Sequence, residues 1–574
     1  MVTWSDVLLW RAAHIETVQD DASAARKAAR EQVQELEAHY NRIAPQGLAI
    51  DAMRQALSRV QDELDHAVNA ISAYMLACAE AIDGVRVVEA KVKSALEISE
   101  EIGCTIYDDG SVSIPYVDLS DAVRYGKAAV LQGKYSDLQM CIADALSVAR
   151  KVDEELRRKL QELAEDRFEQ NGPKEGRHSA SPGLPDDADE SWSPSEVSAW
   201  WGALTDEERQ ACIERDPLKY GNLDGIDMAS RDKANRMALY GYDTGGNASI
   251  RLGSTGLLQQ AQDKFDQAQA AYDDCVGAHG LFSDEAMALK AERDRAGRDL
   301  ADLQKIDERL RKGAGEDGEP VSLLALDTSG EQVKAAVAVG DVDHAQHVAN
   351  FTPGMGTNVR DSLDNYVDVA DRMRENTVEK AKVERSDVAV VAWLNYDAPT
   401  DITKTWDTDV AGTEKARAGA DRLAGFLTGV RSWRDEQGGS LHLTSVSHSY
   451  GSTTAGFAMR QMGEGVVDDH IYLGSPGSAA YTVGALGVDP SHVWVSAVPE
   501  GDMVQGMGPD VTFGRNPEQL EGIQHLSGDA TGAQGYDPQP SSPVANHSSY
   551  FAPPKPGEEN EVLNDICRVL GGAK

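Results

Sequence analysis

Residues 318–574 read as an α/β fold, a mostly parallel sheet flanked by helices, preceded by an all-α region. Three observations predict this. Val388 to Leu394 is a continuous apolar run, as a strand buried on both faces of a parallel sheet requires. Strand-length runs alternate with helix-length periodic segments on either side of it. Before residue 318 the apolar spacing is helical almost throughout.

Composition bounds the answer. At 574 residues the chain exceeds one core, and about two to four domains are expected. Hydrophobic content of 41% with 26% charged residues is that of soluble globular protein, not of a disordered or membrane chain. A net charge of −40 and a pI near 4.6 argue against nucleic acid and against an anionic membrane surface, which need basic patches. Six cysteines lie far apart without a C-x-x-C pair, the usage of a reducing compartment. No stretch reaches the roughly 18 apolar residues of a membrane span, so stable membrane insertion is not expected. The N-terminus carries acids where a secretory signal carries bases. The expectation is therefore the cytoplasm, or export without a standard signal peptide.

Residues 1–168 read as a helical bundle. Leu57, Val60, Leu64, Val68, Ile71, Met75, Cys78 and Ile82 form one helical stripe. A partner helix is suggested by Trp4, Val7, Leu8, Ile15, Val18, Val33, Leu36 and Tyr40, with a break at Ala44-Pro45-Gln46-Gly47. Asp109-Gly110 suggests a small hairpin, and a further helix follows near Leu119 to Phe168. Such stripes are usually core. The sharper reading is self-association or protein docking, like the helical hairpins of type VII export systems, although no Trp-x-Gly marks the turn. Residues 169–191, rich in Pro, Gly, Ser and Asp, read as a flexible linker. Residues 192–317 read as a helical segment that packs on the core. Ser193 and Glu196 suggest a capping box, and Trp200 and Trp201 call for burial. Two helical arms over 257–312, broken at Gly277-Ala278-His279-Gly280, form a hairpin that could cap a site.

In residues 318–574, Val321 to Leu326 and Val333 to Val339 read as an antiparallel pair, followed by strands at His347, Val388, Leu441, Ile471 and Val493. The Leu441 strand runs into Ser447-His448-Ser449-Tyr450-Gly451, and Gly456, Phe457, Ala458 and Met459 then open a helix. A serine on a sharp strand-to-helix turn has its hydroxyl lifted clear of the sheet, the nucleophile elbow of an α/β-hydrolase core. The same loose pattern recurs at Ser179 to Gly183, but Ser181 lies in the linker, with no strand before it and no helix after it.

The fold order Ser, acid, His then supplies partners. Asp502 follows the Val493 strand and would orient the imidazole; Glu500, Asp468 and Asp469 compete for this role. His547 lies on a late loop and would be the general base; His525 competes but sits inside a strand-like run. The oxyanion-hole donors would be the backbone N–H groups of Tyr450 and Met355, with Gly354 and Gly356 allowing the loop its close approach. Tyr396 and His448 are candidates to line the substrate pocket, and Asp397 either lines the same cleft or simply makes a turn. No metal constellation is present in the sequence, and no cofactor is called for.

Several motifs carry a resemblance. W-W-x-x-L-T-x-x-E-R from Trp200, G-N-L-D-G-I from Gly221 and R-D-x-A-N-R from Arg231 precede the core. Within it lie P-G-M-G-T from Pro353, W-L-N-Y-D-A-P from Trp393, S-H-S-Y-G-S from Ser447, G-S-P-G from Gly474 and H-S-S-Y from His547. Together they resemble a largely actinobacterial family of α/β-hydrolase-domain proteins of unknown function. The resemblance extends to about Phe551, and it implies a hydrolase fold with an N-terminal helical region. Ser447 departs from it, because glycine is usual there. Two functional readings follow. One is a serine hydrolase, esterase- or lipase-like, acting on a small-molecule acyl ester. The other is a non-catalytic interaction or type VII export-associated protein with a hydrolase-like scaffold.

Overall fold

The computed structural model describes residues 2–42, 48–113, 127–165, 187–189, 191–241, 255–315, 317–400, 409–498 and 500–573. Its N-terminal region is helical. After the one-turn helix α1 (Trp4–Val7), α2 (Ala12–Arg42) and α4 (Lys127–Ala164) both pack along α3 (Leu48–Ile102). The partner helix expected from Trp4 to Tyr40 is thus two helices. Trp4 and Val7 turn into the apolar cluster shared with α3 and α4, and the chain restarts at Ala12. On the α3 stripe Val68, Met75, Cys78 and Ile82 are buried, whereas Val60 is exposed. The break expected at 44–47 lies outside the described residues. Between α3 and α4, β1 (Thr105–Ile106) and β2 (Val112–Ser113) pair antiparallel around Asp109-Gly110. Most of the linker, Ser181 included, also lies outside the described residues. Its end is docked: Asp187 pairs with Lys219 at 2.9 Å and Ala188 is buried.

Helices α5 (Pro194–Ala203), α6 (Asp206–Arg215), α7 (Pro217–Asn222) and α8 (Met228–Tyr240) follow. Trp200 and Trp201 are fully buried in a cluster with Met75 and Ala79 of α3 and with Trp433, so the tryptophan pair joins the bundle to the core. Ser193 caps α5 by accepting the Glu196 N–H at 3.3 Å, but the expected box is half formed. The Glu196 carboxylate reaches Lys159 of α4 at 3.0 Å, and the complete box is at Thr205 and Glu208. The hairpin is α9 (Leu257–His279) and α10 (Asp284–Lys312). Its turn falls at 280–283, later than expected, because Ser283 caps α10.

The core continues with β3 (Val321–Asp327), β4 (Lys334–Val339), β5 (His347–Thr352), α11 (Val359–Ala381), β6 (Val388–Leu394), α12 (Glu414–Glu436), β7 (His442–His448), α13 (Tyr450–Met459), β8 (Asp469–Leu473), β9 (Val493–Ser496), α14 (Asp510–Phe513), β10 (Gln524–His525) and α15 (Glu561–Leu570). The strands form one eight-stranded sheet in the order β10-β9-β8-β7-β5-β6-β4-β3. Both pairings of β4 are antiparallel; the pairings from β6 through β10 are parallel. β6 is buried along its whole length, and its side chains alternate between two apolar clusters, one on each face. One cluster holds α12 and α13 with the N-terminal helices, and the other holds α8, α10, α11 and α15. Thr352 pairs with Ser447, and Ser447 with Tyr472, so β5, β7 and β8 end level at one edge, where the loops that carry the candidate site emerge.

The motifs ahead of the core acquire a physical role here. β3 is an edge strand, whose unpaired backbone groups invite association with other chains. The Asn222 side-chain amide brackets Leu326, accepting its N–H at 3.1 Å and donating to its carbonyl at 2.9 Å. Asp232 accepts the Leu323 N–H at 2.6 Å, and Arg231, Asn235 and Arg236 donate to the carbonyls of Leu324, Leu323 and Val321 at 2.7, 3.0 and 2.6 Å. G-N-L-D-G-I and R-D-x-A-N-R thus supply a side-chain edge to the sheet.

Candidate active site

Strand β7 delivers Ser449 to the turn before α13 with φ 57° and ψ −137°, a conformation that costs a non-glycine residue energy and persists only where its surroundings enforce it. The enforcement is visible: the Ser449 N–H donates to the Leu473 carbonyl at 3.0 Å. Ser447 does not carry the left-handed φ. It stays in register on β7, buried, and its hydroxyl donates to the Ile471 carbonyl at 3.0 Å. The strain sits on the serine that is raised, not on the residue that replaces glycine.

Asp502 and His547 meet behind this turn. Asp502 Oδ1 lies 2.8 Å from His547 Nδ1, and Tyr550 donates its hydroxyl to Asp502 Oδ2 while accepting the Val498 N–H at 3.1 Å. Burial pushes the Asp502 pKa up, but the hydrogen bond and charge of His547 and the hydrogen bond from Tyr550 outweigh it and hold the carboxyl below its ordinary value. Burial, then the Asp502 charge, keeps the Tyr550 phenol protonated far above its usual range. Gly474 follows Leu473 with φ 51°, and a Cβ there would lie 2.7 Å from Asp502 Oδ2 and 3.0 Å from His547 Nδ1. The opening motif of G-S-P-G is thus the floor beneath the pair. His547 Nε2 is buried and has no hydrogen-bond partner among the described residues, and no hydrogen bond joins it to Ser449 Oγ in this structure.

The loop after β5 approaches from the other side. A Cβ on Gly354 would lie 2.5 Å from Ser449 Cβ, 2.8 Å from its Oγ and 2.9 Å from the Tyr450 nitrogen, so only glycine admits this contact. W-L-N-Y-D-A-P pins the loop: the Tyr396 hydroxyl donates to the Pro353 carbonyl at 2.7 Å, and Gly356 N–H donates to Pro399 O at 2.8 Å. Between these anchors the N–H of Met355 has no acceptor among the described residues. The same holds for the N–H of Tyr450, at the positive end of α13.

Two expectations need correction. Tyr396 and His448 do not line an open pocket; both are buried and support the site from beneath. Tyr396 is committed to Pro353. The His448 ring packs 4.4 Å from the His547 ring, and its Nε2–H donates to the His547 carbonyl at 2.7 Å. Burial, then the His547 charge, pushes the His448 pKa down to about 3, so it is a neutral strut. Asp397 pairs with Lys334 at 3.3 Å. Asp468 pairs with Arg431 at 2.6 Å and Asp469 with His442 at 2.7 Å, while His525 is exposed on the edge strand β10, so none of these competitors is at the turn. Tyr550, last letter of H-S-S-Y, carried no assigned role in the sequence; its position three residues after His547 was the signal available. Among the described residues no group of three or more His, Cys, Asp or Glu side chains could hold a metal. The α9–α10 hairpin packs along α11, with Arg360 on Asp302 at 3.0 Å, and touches the β3–β4 turn through Arg295 and the Gly330 carbonyl at 3.3 Å.

The geometry agrees with what the chain is similar to. A family model described as "Alpha/beta hydrolase" matches residues 328–512, a span that includes Ser449 and Asp502. A protein of Mycobacterium bovis, named only as uncharacterized, is 33% identical over 241 residues, which cover 40% of this chain and 83% of that protein. The chain belongs to the alpha/beta hydrolase family. An uncharacterized protein of Mycobacterium tuberculosis is 28% identical over 398 residues, 66% of this chain, and the match spans only 55% of that relative's length. The actinobacterial resemblance read from the motifs is therefore real, and the relatives carry no assigned activity. Among the described residues no helix of this alpha/beta hydrolase is long and apolar enough to cross a membrane.

Proposed function

We propose that this alpha/beta hydrolase is a serine hydrolase, esterase-like, that cleaves an ester or related acyl bond through an acyl-enzyme on Ser449. The observation that carries the reading is the Asp502–His547 hydrogen bond behind a serine held at positive φ, with His547 Nε2 left unpartnered. Ser449 Oγ attacks the acyl carbon while His547 Nε2 takes its proton, and the imidazolium returns that proton to the departing alkoxide. Water then repeats the sequence on the acyl-enzyme, with His547 as base, and releases the acid and free Ser449. Asp502 fixes the Nδ1–H tautomer and stabilises the imidazolium, while Tyr550 and His448 hold Asp502 and the His547 backbone in place. The N–H groups of Tyr450 and Met355 receive the oxyanion. A fluorophosphonate probe tests this. It labels wild type and fails to label Ser449→Ala; well-folded wild type that stays unlabelled sinks the proposal.

A further inference from the structure

Few large apolar side chains of the α/β domain stand exposed among the described residues. Among its described residues, the large apolar side chains that stand exposed are Met355, Met503, Met507, Val511 and Val544. Single exposed apolar residues are ordinary on any protein surface. These five lie on or beside the loops that carry the candidate site. Met355 follows Gly354, which touches Ser449, and Met503 follows Asp502. The Met503 N–H donates to the Pro543 carbonyl at 2.9 Å, which sets the Met503 loop beside Val544, three residues before His547. Met507 lies between Gly506 and Gly508, whose N–H groups donate to Ser475 and Pro476 at 2.7 and 2.9 Å, on the loop that backs the Asp502–His547 pair. Val511 is on α14, whose Phe513 ring meets the Tyr450 ring edge-on at 6.2 Å. Met503, Met507 and Val511 are 62, 66 and 89% exposed, on segments that neighbour the Asp502–His547 pair and Tyr450, and the five are taken together as an open apolar rim.

We propose, resting on the reading of Ser449 as nucleophile, that the acyl group of the substrate is an apolar chain of several carbons, which lies across this rim as the ester reaches Ser449. Methionine suits the task, because its flexible thioether packs against chains of differing length. The net charge of −40 sets the other limit, since it disfavours an anionic ester and an anionic lipid surface over a neutral ester.

The test uses the full chain with p-nitrophenyl acetate and octanoate, each below its aggregation limit. The expected kcat/KM on octanoate exceeds that on acetate by roughly tenfold or more, since each methylene removed from water contributes about fourfold. In the Met503→Ser, Met507→Ser, Val511→Ser triple variant, whose melting curve reports that the fold is kept, the octanoate-to-acetate ratio falls by about tenfold toward unity. Equal turnover of both esters by wild type overturns this inference and leaves the nucleophile standing. A folded triple variant with the wild-type ratio overturns it too, as does probe labelling of Ser449 without turnover of either ester. Absence of both labelling and turnover brings down the nucleophile and this inference together.

Discussion

Asp502 and His547 meet beyond the C-terminal ends of the parallel strands. On the opposite edge of the same sheet Asp469, the first residue of β8, holds His442, the first residue of β7. Both are buried aspartate–histidine contacts of similar length, 2.8 and 2.7 Å. They differ in what else touches the rings. His442 faces acceptors at both nitrogens, Asp469 at Nε2 and the Leu570 carbonyl at Nδ1, 3.2 Å away, a setting that favours the doubly protonated ring. Burial lowers its pKa, but the hydrogen bond and charge of Asp469 outweigh that and raise it. Asp469 is further saturated by His492 at 2.9 Å and Trp494 at 2.6 Å. His547 has one acceptor and one free nitrogen. A histidine engaged at both ring nitrogens is a structural link, whereas one with an unengaged Nε2 beside a raised serine can accept a proton. A histidine–aspartate contact alone does not separate these cases.

The largest expected effect comes from removing the carboxylate at each end. Asp502→Asn lowers kcat by about 10⁴, because the wrong tautomer faces Ser449. Asp469→Asn leaves ester turnover within about threefold, since kcat tracks bonds made at the reacting atoms. Equal losses in the two variants would erase the difference between the two histidines. A smaller effect is on stability. Asp469→Asn lowers unfolding free energy by roughly 1–3 kcal/mol, the cost of unmade buried hydrogen bonds. The pH window follows from the two shifts. The His442 pKa is raised above 6.5, so its contribution is full below that value and is lost as pH rises through the raised one. The Asp469 pKa is lowered from 3.8, burial being outweighed by hydrogen bonds from His442 and Trp494, so its contribution is full above 3.8 and lost as pH falls. Urea unfolding across pH should therefore show the widest gap between wild type and variant from about pH 4 to 6.5, closing on either side. A gap that widens above neutrality contradicts the imidazolium assignment. The smallest effect sharpens the site itself. Tyr550→Phe takes one donor from Asp502 and leaves the Val498 N–H unpaired, lowering kcat/KM by about tenfold. It also moves the acid limb of the pH–rate profile upward, because the carboxylate loses a stabilising bond. An unmoved limb reduces Tyr550 to packing.

What the chain declares by itself is what local pattern encodes. β6 is a run without alternation, the α9–α10 arms repeat at helical spacing, and Ser449 stands between a strand pattern and small helix-opening residues. Burial imposes these periods on contiguous residues, so they can be read without knowing any neighbour. The order of elements along the chain favours Asp502 over Asp469 and His547 over His525; in the fold Asp502 bonds His547 and Asp469 bonds His442. The roles of Asn222, Asp232 and Asn235 on the β3 edge, of Tyr396 beneath Pro353 and of His448 beneath His547 were beyond reach. Each is a bond from a side chain to the backbone of a segment 43 to 104 residues away. Which strand lies beside which, and so which carbonyl each side chain meets, is decided only when the sheet is assembled.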